Sequence, residues 1–136
     1  MGDRIVADSH YFRNHSVEKR QILVFKKEGL FIVKRVEAVP GDVIEGKAGT
    51  FYLNGRELDE GFEKPTEYST AQFLAAFGPI KVPPGEYFVL GDNRSVSRDS
   101  RQPDYGNIPA SHIVGRVLYV FNPLEPTHNK NFVQKP

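Results

Sequence analysis

Cysteine is absent from the 136 residues. Its absence excludes a disulfide framework, a cysteine nucleophile and any thiolate zinc site. The redox compartment stays open, because a cysteine-free chain folds on either side of a membrane. Long apolar runs are missing too. The longest, Phe73 to Phe77 and Val117 to Phe121, are five residues each, against the roughly 20 that a spanning helix needs. Met1 is followed at once by Gly2, Asp3 and Arg4, which is not the opening of a signal peptide. Any membrane anchor is therefore expected outside these residues. An excess of one charge sign is also lacking. Lys and Arg number 18 against 17 Asp and Glu, for a net charge of +1. A dedicated nucleic-acid binder takes its affinity from a large basic excess, so that class is set aside. The basic pairs Lys19-Arg20, Lys26-Lys27 and Lys34-Arg35 are offset by acids nearby and read as solvated faces. His10, His15, His112 and His128 show no paired metal-ligand spacing, and no HExxH occurs. Neither a metal nor a cofactor is expected.

What is present reads as one β-rich domain. Hydrophobic residues make up 39% of the chain, too many for disorder and enough for a core at this length. Ile5-Val6-Ala7 is a brief apolar run. Ile22 to Phe25 and Leu30 to Val36 are rich in β-branched and aromatic residues around Glu28-Gly29, which predicts a hairpin. Pro40-Gly41-Asp42 breaks the chain. Val43-Ile44 and Thr50 to Leu53 are further strands. Asn54-Gly55 suits a type I′ turn, whose central residues both need positive φ, and Arg56-Glu57-Leu58 is the returning arm. The polar stretch from Asp59 to Thr70 reads as a loop or insertion, and Ala71 to Phe77 as a short helix capped by Ser69 or Thr70. After Pro83-Pro84-Gly85 come a strand, Glu86 to Leu90, and a long ordered loop, Gly91 to Tyr105. Ile108 to Ile113 reads as one helical turn, Val114 to Phe121 as the last strong strand, and Asn122 to Pro136 as a loosely held polar tail. Short strands separated by turns indicate an all-β barrel or sandwich.

Two segments could carry chemistry. Lys34 lies inside Phe31-Ile32-Val33-Lys34-Arg35-Val36 and shares a strand face with Ile32 and Val36. On a covered face its amine would be desolvated and its pKa lowered, which is how a lysine becomes a general base. Spacing alone more often produces a solvated lysine whose stem lies over its neighbours. The loop from Gly91 to Arg101 packs three arginines, two aspartates and three serines into eleven residues. Carboxylate–guanidinium pairs could knit it together and hold a hydroxyl at a defined point. Composition alone favours a flexible polar surface loop.

Taken together these segments resemble bacterial type I signal peptidases. Lys34-Arg35-Val36 followed by Pro40-Gly41-Asp42 resembles the family's lysine box. Val82-Pro83-Pro84-Gly85-Glu86-Tyr87-Phe88-Val89-Leu90-Gly91-Asp92-Asn93-Arg94 resembles its second signature. Ser97, Asp99-Ser100-Arg101, Gly106, Pro109 and Gly115-Arg116 continue it in register. Gly2 to Val6 is similar to the segment just after the family's nucleophile box, and Ile22 to Phe25 to a further strand. The resemblance implies a mostly antiparallel β domain over residues 1–123, with an inserted cap-like region at about 59–80 and a polar tail at 124–136. It implies hydrolysis of secretory preproteins just after the signal peptide, by a Ser–Lys dyad without histidine, and a parent protein anchored in the membrane with this domain on its extracytoplasmic face.

Residue by residue, the resemblance makes Lys34 the base and Ser97 the hydroxyl that orients its amine. Asp99 and Arg101 support the site as a pair, and Asp92 and Arg94 are further structural polar positions. Asp92 and Asp99 are expected to pair with Arg94 or Arg101. Ile5, Val24, Ile32 and Val33 match shallow pockets that read a small residue, any residue and a small residue while the substrate lies as an added strand. The partners implied are signal peptides and the membrane surface, with an exposed apolar strip beside Ile5, Ile32 and Val33.

The largest departure from the family pattern is at the start. The family's nucleophile stands in Ser-Met-x-Pro-Thr just before Gly-Asp, and only Met1 precedes Gly2-Asp3 here. Neither Ser9 nor Ser16 can be matched to it. Ser95-Val96 and Arg20-Gln21 also replace family residues. The expectation is a signal peptidase domain without its nucleophile and inactive alone. The alternative is a non-catalytic paralogue that binds signal peptides or partner proteins, against which the retained Lys34 and Ser97 speak.

Overall fold

The computed structural model describes residues 4–58, 75–92, 94, 97–121 and 130–131, without the side chains of 119–121 and 130–131. The regular structure of the described chain is almost wholly antiparallel strand, as expected. They are β1 (Arg4–Asp8), β2 (Ile22–Lys27), β3 (Leu30–Ala38), β4 (Val43–Lys47), β5 (Thr50–Leu53), β6 (Arg56–Glu57), β7 (Phe77–Lys81), β8 (Glu86–Leu90), β9 (Ile108–Pro109), β10 (Ile113–Phe121) and β11 (Lys130–Asn131). Single 3-10 turns occupy Tyr11–Arg13 and Ala110–His112. One sheet has the order β1-β10-β2-β3-β8-β9, with β11 also on β10, and a second has the order β6-β5-β4-β7.

The β2–β3 hairpin is the spine. Its register sets Leu23 opposite Lys34, Val24 opposite Val33 and Phe25 opposite Ile32. Cross-strand partners share a face, so Leu23, Phe25, Ile32, Lys34 and Val36 lie on one side of the sheet. That side carries the cluster of Leu23, Phe25, Val36 and Val89, closed by Tyr105 from the loop beyond β8 and Ile108 from β9. On the opposite side, Ile22 and Val24 pack with Val117. A third cluster, Ala38, Ile44, Phe51, Val82, Phe88 and Leu90, joins β3 and β8 to the second sheet. Alternation along β8 sends Val89 to the first cluster and its neighbours Phe88 and Leu90 to the third.

The structure corrects three expectations. Phe77 is not the end of a helix but the first residue of β7, which pairs with β4 and was not foreseen. A Gly78-Pro79 pair made a strand hard to see there, because proline cannot donate to a ladder. Residues 71–74 of the expected helix lie outside the described residues, as do 59–70 of the expected insertion. The tail is not wholly loose, since Lys130 and Asn131 pair with Val120 and Tyr119. The helical turn foreseen over Ile108 to Ile113 contracts to Ala110–His112 behind the two-residue β9.

Candidate active site

The described residues between Gly91 and Tyr105 lie over the Lys34 face and are fastened to β8. The amide of Val89 donates to Ser100 Oγ (2.9 Å), and the Ser100 amide returns a bond to the Val89 carbonyl (3.1 Å). Asp99 is fully buried and organises the loop. It accepts from the Gly91 amide (3.1 Å), the Arg101 amide (3.2 Å) and the Arg101 guanidinium (2.8 and 3.0 Å). Arg101 Nη2 also donates to the carbonyls of Arg94 (2.9 Å) and Ser97 (3.3 Å). The serine is thus held through its own backbone, and Asp99 and Arg101 form an ion pair.

Lys34 Nζ lies 2.8 Å from Ser97 Oγ. The serine is buried and the lysine half-buried. Oγ has a second, long contact of 3.5 Å with the Arg98 carbonyl, toward which its hydroxyl proton can point. Its lone pairs can then accept from the amine, an interaction that does not use the lone pair of a neutral amine. The contact needs a glycine beside it. A Cβ on Gly91 would overlap Ser97 Oγ and stand 3.3 Å from Lys34 Nζ. Burial holds the Lys34 amine below the ordinary lysine range, the Asp99 charge pulls it partly back, and Arg101 opposes that charge. Asp99 is therefore muted rather than taken out of play. Burial also pushes the Tyr105 phenol up to about 12, with Asp99 adding to the rise.

Asp92 does not take the partner expected of it. It receives both Nε and Nη2 of Arg35 at 3.0 Å. Burial pushes its carboxyl up, but the Arg35 guanidinium more than offsets this and leaves it below the usual carboxylate range. Arg94 instead meets Glu37, with Nη2 3.3 Å from the carboxylate, and its Nε donates to the Gly91 carbonyl (2.9 Å). Sequence reasoning passed over Glu37, which is 1% exposed and also ion-paired to Arg20. The available signal was an acid in an apolar strand run, with arginines in the loop to match it.

The four residues matched to substrate pockets are not all brought together. Val24 and Val33 are cross-strand partners on the face opposite Lys34, while Ile32 shares the Lys34 face. Val24 is buried at 6% exposure, and Ile5 on β1 is exposed at 43%. The apolar strip is also placed differently. Ile5, Val6, Leu30 and Phe31 are the exposed large hydrophobics among the described residues, whereas Ile32 and Val33 are only partly exposed. Among the described residues no cluster of side chains could hold a metal, and no helix is long and apolar enough to cross a membrane.

Known proteins share this architecture and sequence. Residues 1–122 match the family described as signal peptidase, peptidase S26. Signal peptidase IB of Staphylococcus aureus (strain Mu50 / ATCC 700699) is 37% identical over 144 residues, covering 96% of this chain and 74% of the relative. Signal peptidase I of Bacillus licheniformis is 38% identical over 102 residues, covering 72% of this chain and 54% of the relative. The crystal structure of a signal peptidase I from Enterococcus faecalis V583 superposes with a TM-score of 0.58 at 28% identity, over 75% of this chain and 97% of that one. A match over nearly the whole chain, in a fold whose ordered loop seats a serine on a strand lysine, has one consequence: the chain belongs to the type I signal peptidases, serine endopeptidases that remove signal peptides.

Proposed function

We propose that Lys34 is the general base of a Ser–Lys dyad and that Ser97 orients its amine. The observation that supports this reading is the 2.8 Å contact between a half-buried amine and a buried hydroxyl. A neutral amine is needed to accept a proton, and burial lowers the pKa of Lys34 in the direction that supplies one. Ser97 accepts one N–H and so leaves the amine lone pair for the proton of an incoming serine. Asp99 and Arg101 hold the loop that carries Ser97. Asp92, through Arg35, and Arg94, through Gly91, fix the base of that loop. The amine then passes its proton to the departing amide nitrogen, so that base and acid are one group.

The substrate in this reading is a preprotein with a small-x-small site, laid as an added strand along the Leu30 to Lys34 end of β3, which β8 does not pair. Ile32 and Val33, on opposite faces of that strand, then flank it together with Val24 and the exposed Ile5. The exposed side chains Leu30 and Phe31 at the hairpin tip, with Ile5 and Val6, favour contact with the membrane surface from which such substrates emerge. The parent protein presents this domain on the extracytoplasmic side. The 136 residues carry no Ser-Met pair, and by themselves are inactive.

The test joins a Ser-Met-x-Pro-Thr segment ahead of Gly2 and follows an Ala-x-Ala peptide by mass spectrometry. The extended chain cleaves after the second alanine, and Lys34→Met in it loses about 10³-fold or more. The unextended chain does not cleave. Signal-peptide binding without cleavage by the folded, extended chain would overturn the proposal in favour of a non-catalytic binder. Lys34-dependent cleavage by the unextended chain would show that a serine already present is the nucleophile.

A further inference from the structure

We propose that Glu37 is a positioning residue for the Lys34–Ser97 pair, acting through Arg94 on the peptide group of Gly91. The inference rests on the reading of Lys34 as the base. The β3–β8 register slips between Val36 and Ala38, leaving Glu37 as the extra residue. Such bulges re-aim a side chain. Glu37 stands three residues beyond Lys34 on the same strand, yet its carboxylate serves the far side of the loop. There it is 1% exposed, between Arg20 and Arg94, and Arg94 is itself 1% exposed.

Gly91 is the point at which the network becomes functional. Ser97 packs where a Gly91 side chain would be, and Lys34 Nζ stands just beyond. The two ends of this residue are held separately. Its amide donates to Asp99 (3.1 Å), and its carbonyl accepts Nε of Arg94 (2.9 Å). Arg94 also reaches the second sheet, its guanidinium lying 4.9 Å from the Phe51 ring centroid. A guanidinium buried this deeply needs an anionic partner; Glu37 stands 3.3 Å away, and Asp92 also acts on Arg94 through its charge. Without Glu37, Arg94 is drawn toward water, the Gly91 carbonyl loses its donor, and the floor beneath Ser97 and Lys34 shifts. Asp99 and Arg101 face Lys34 from the loop, Arg20 and Arg94 pair with Glu37, and Asp92, paired with Arg35, also feels the charges of Arg94 and Arg20.

Two effects of removing the carboxylate have opposite sign at Lys34. Loss of a negative charge by itself disfavours the ammonium and lowers the midpoint. Loss of positioning admits water to the amine and raises it. The experiment is NMR titration of the Lys34 side chain in the full chain, comparing the natural protein with Glu37→Gln. The expected result is an upward shift of the Lys34 midpoint toward that of a free lysine, with the fold intact. Arg94→Lys keeps the charge balance but cannot serve Glu37 and the Gly91 carbonyl with the same fork. It is expected to shift Lys34 the same way and supplies the test should Glu37→Gln not fold. In the chain extended with its serine, kcat falls by about 10-fold or more while KM holds. An unchanged or lowered Lys34 midpoint in either folded variant would overturn the proposal. Failure of the base assignment reads out separately, as activity retained by Lys34→Met, and leaves the titration result standing.

Discussion

At the residue scale, the site depends on one missing side chain and one hydroxyl. Gly91→Ala would force a Cβ against Ser97 Oγ. Overpacking of this kind costs about 1–3 kcal/mol, and here the strain falls on the Lys34–Ser97 contact. The expected outcome in the serine-extended chain is loss of most activity with a smaller loss of stability, measured by peptide cleavage beside thermal melting. An active Gly91→Ala enzyme would mean that the contact is dispensable. Ser97→Ala removes the oxygen that the Lys34 amine contacts, without adding bulk. One such bond is worth about 1–1.5 kcal/mol, so kcat should fall about 10-fold with KM little changed. A KM effect alone would place Ser97 in substrate binding instead. The motif resemblance alone pointed to Lys34 and Ser97. The partner of Arg94 was not legible, because which carboxylate meets which guanidinium depends on a bulge that no local pattern announces.

At the element scale, the Asn54-Gly55 turn joins two strands and also ties them to the Pro40-Gly41-Asp42 break. Asn54 and Gly55 take positive φ, 53° and 84°. The Asn54 side chain accepts from the Val43 amide (2.8 Å) and donates to Asp42 (3.0 Å). Burial raises the Asp42 carboxyl, but Asn54, the Val39 amide and Lys19 more than offset it and hold it below the usual range. A carboxylate depressed in the folded state stabilises the fold above its unfolded pKa, and that contribution is lost as pH falls through the folded pKa. Asn54→Ala should therefore cost about 1–3 kcal/mol at neutral pH, and less once the carboxylates are protonated. Urea unfolding at the two pH values tests this, and an equal cost at both would show that Asp42 takes no part. Both the turn and the hairpin at Glu28-Gly29 were legible, because residues tolerant of positive φ punctuate the strand runs there. Strand β7 was not, because its pairing with β4 is long-range and its Gly-Pro pair reads locally as a break.

At the scale of the whole molecule, two properties have consequences that can be measured, a lysine half-buried on a covered sheet face and an exposed apolar hairpin tip. The first is a stability cost. Lys34 is depressed in the folded state, so between its folded and unfolded pKa values the unfolded chain binds more protons. Stability contributed at this site therefore rises with pH across that interval. Lys34→Met should raise the melting temperature at neutral pH, by a gain that shrinks as pH approaches the ordinary lysine range. A Lys34→Met protein less stable at neutral pH would mean that the Ser97 contact outweighs desolvation. The second property is the exposed apolar edge. Leu30 and Phe31 are each 65% exposed, and Lys26 Nζ lies 5.5 Å from the Phe31 ring centroid. Binding to vesicles containing anionic lipid, read by sedimentation, should drop when Leu30 and Phe31 are both changed to serine. Binding unaffected by that change would move the membrane contact elsewhere.

Strand periodicity, turn chemistry and the absence of cysteine determined a β-rich domain without disulfides, because alternation and positive φ are local requirements that residue type alone can meet. Motif order determined the family and pointed to Lys34 and Ser97, which stand 63 positions apart in the chain. Only the tertiary structure decided that the loop lies on the Lys34 face, that Asp92 turns to Arg35 and that Glu37 turns to Arg94. Those choices rest on which face each residue presents after the β3 register slips, and on which charges must be buried together once the sheets close. Burial and pairing belong to the assembled fold, and no single segment carries them.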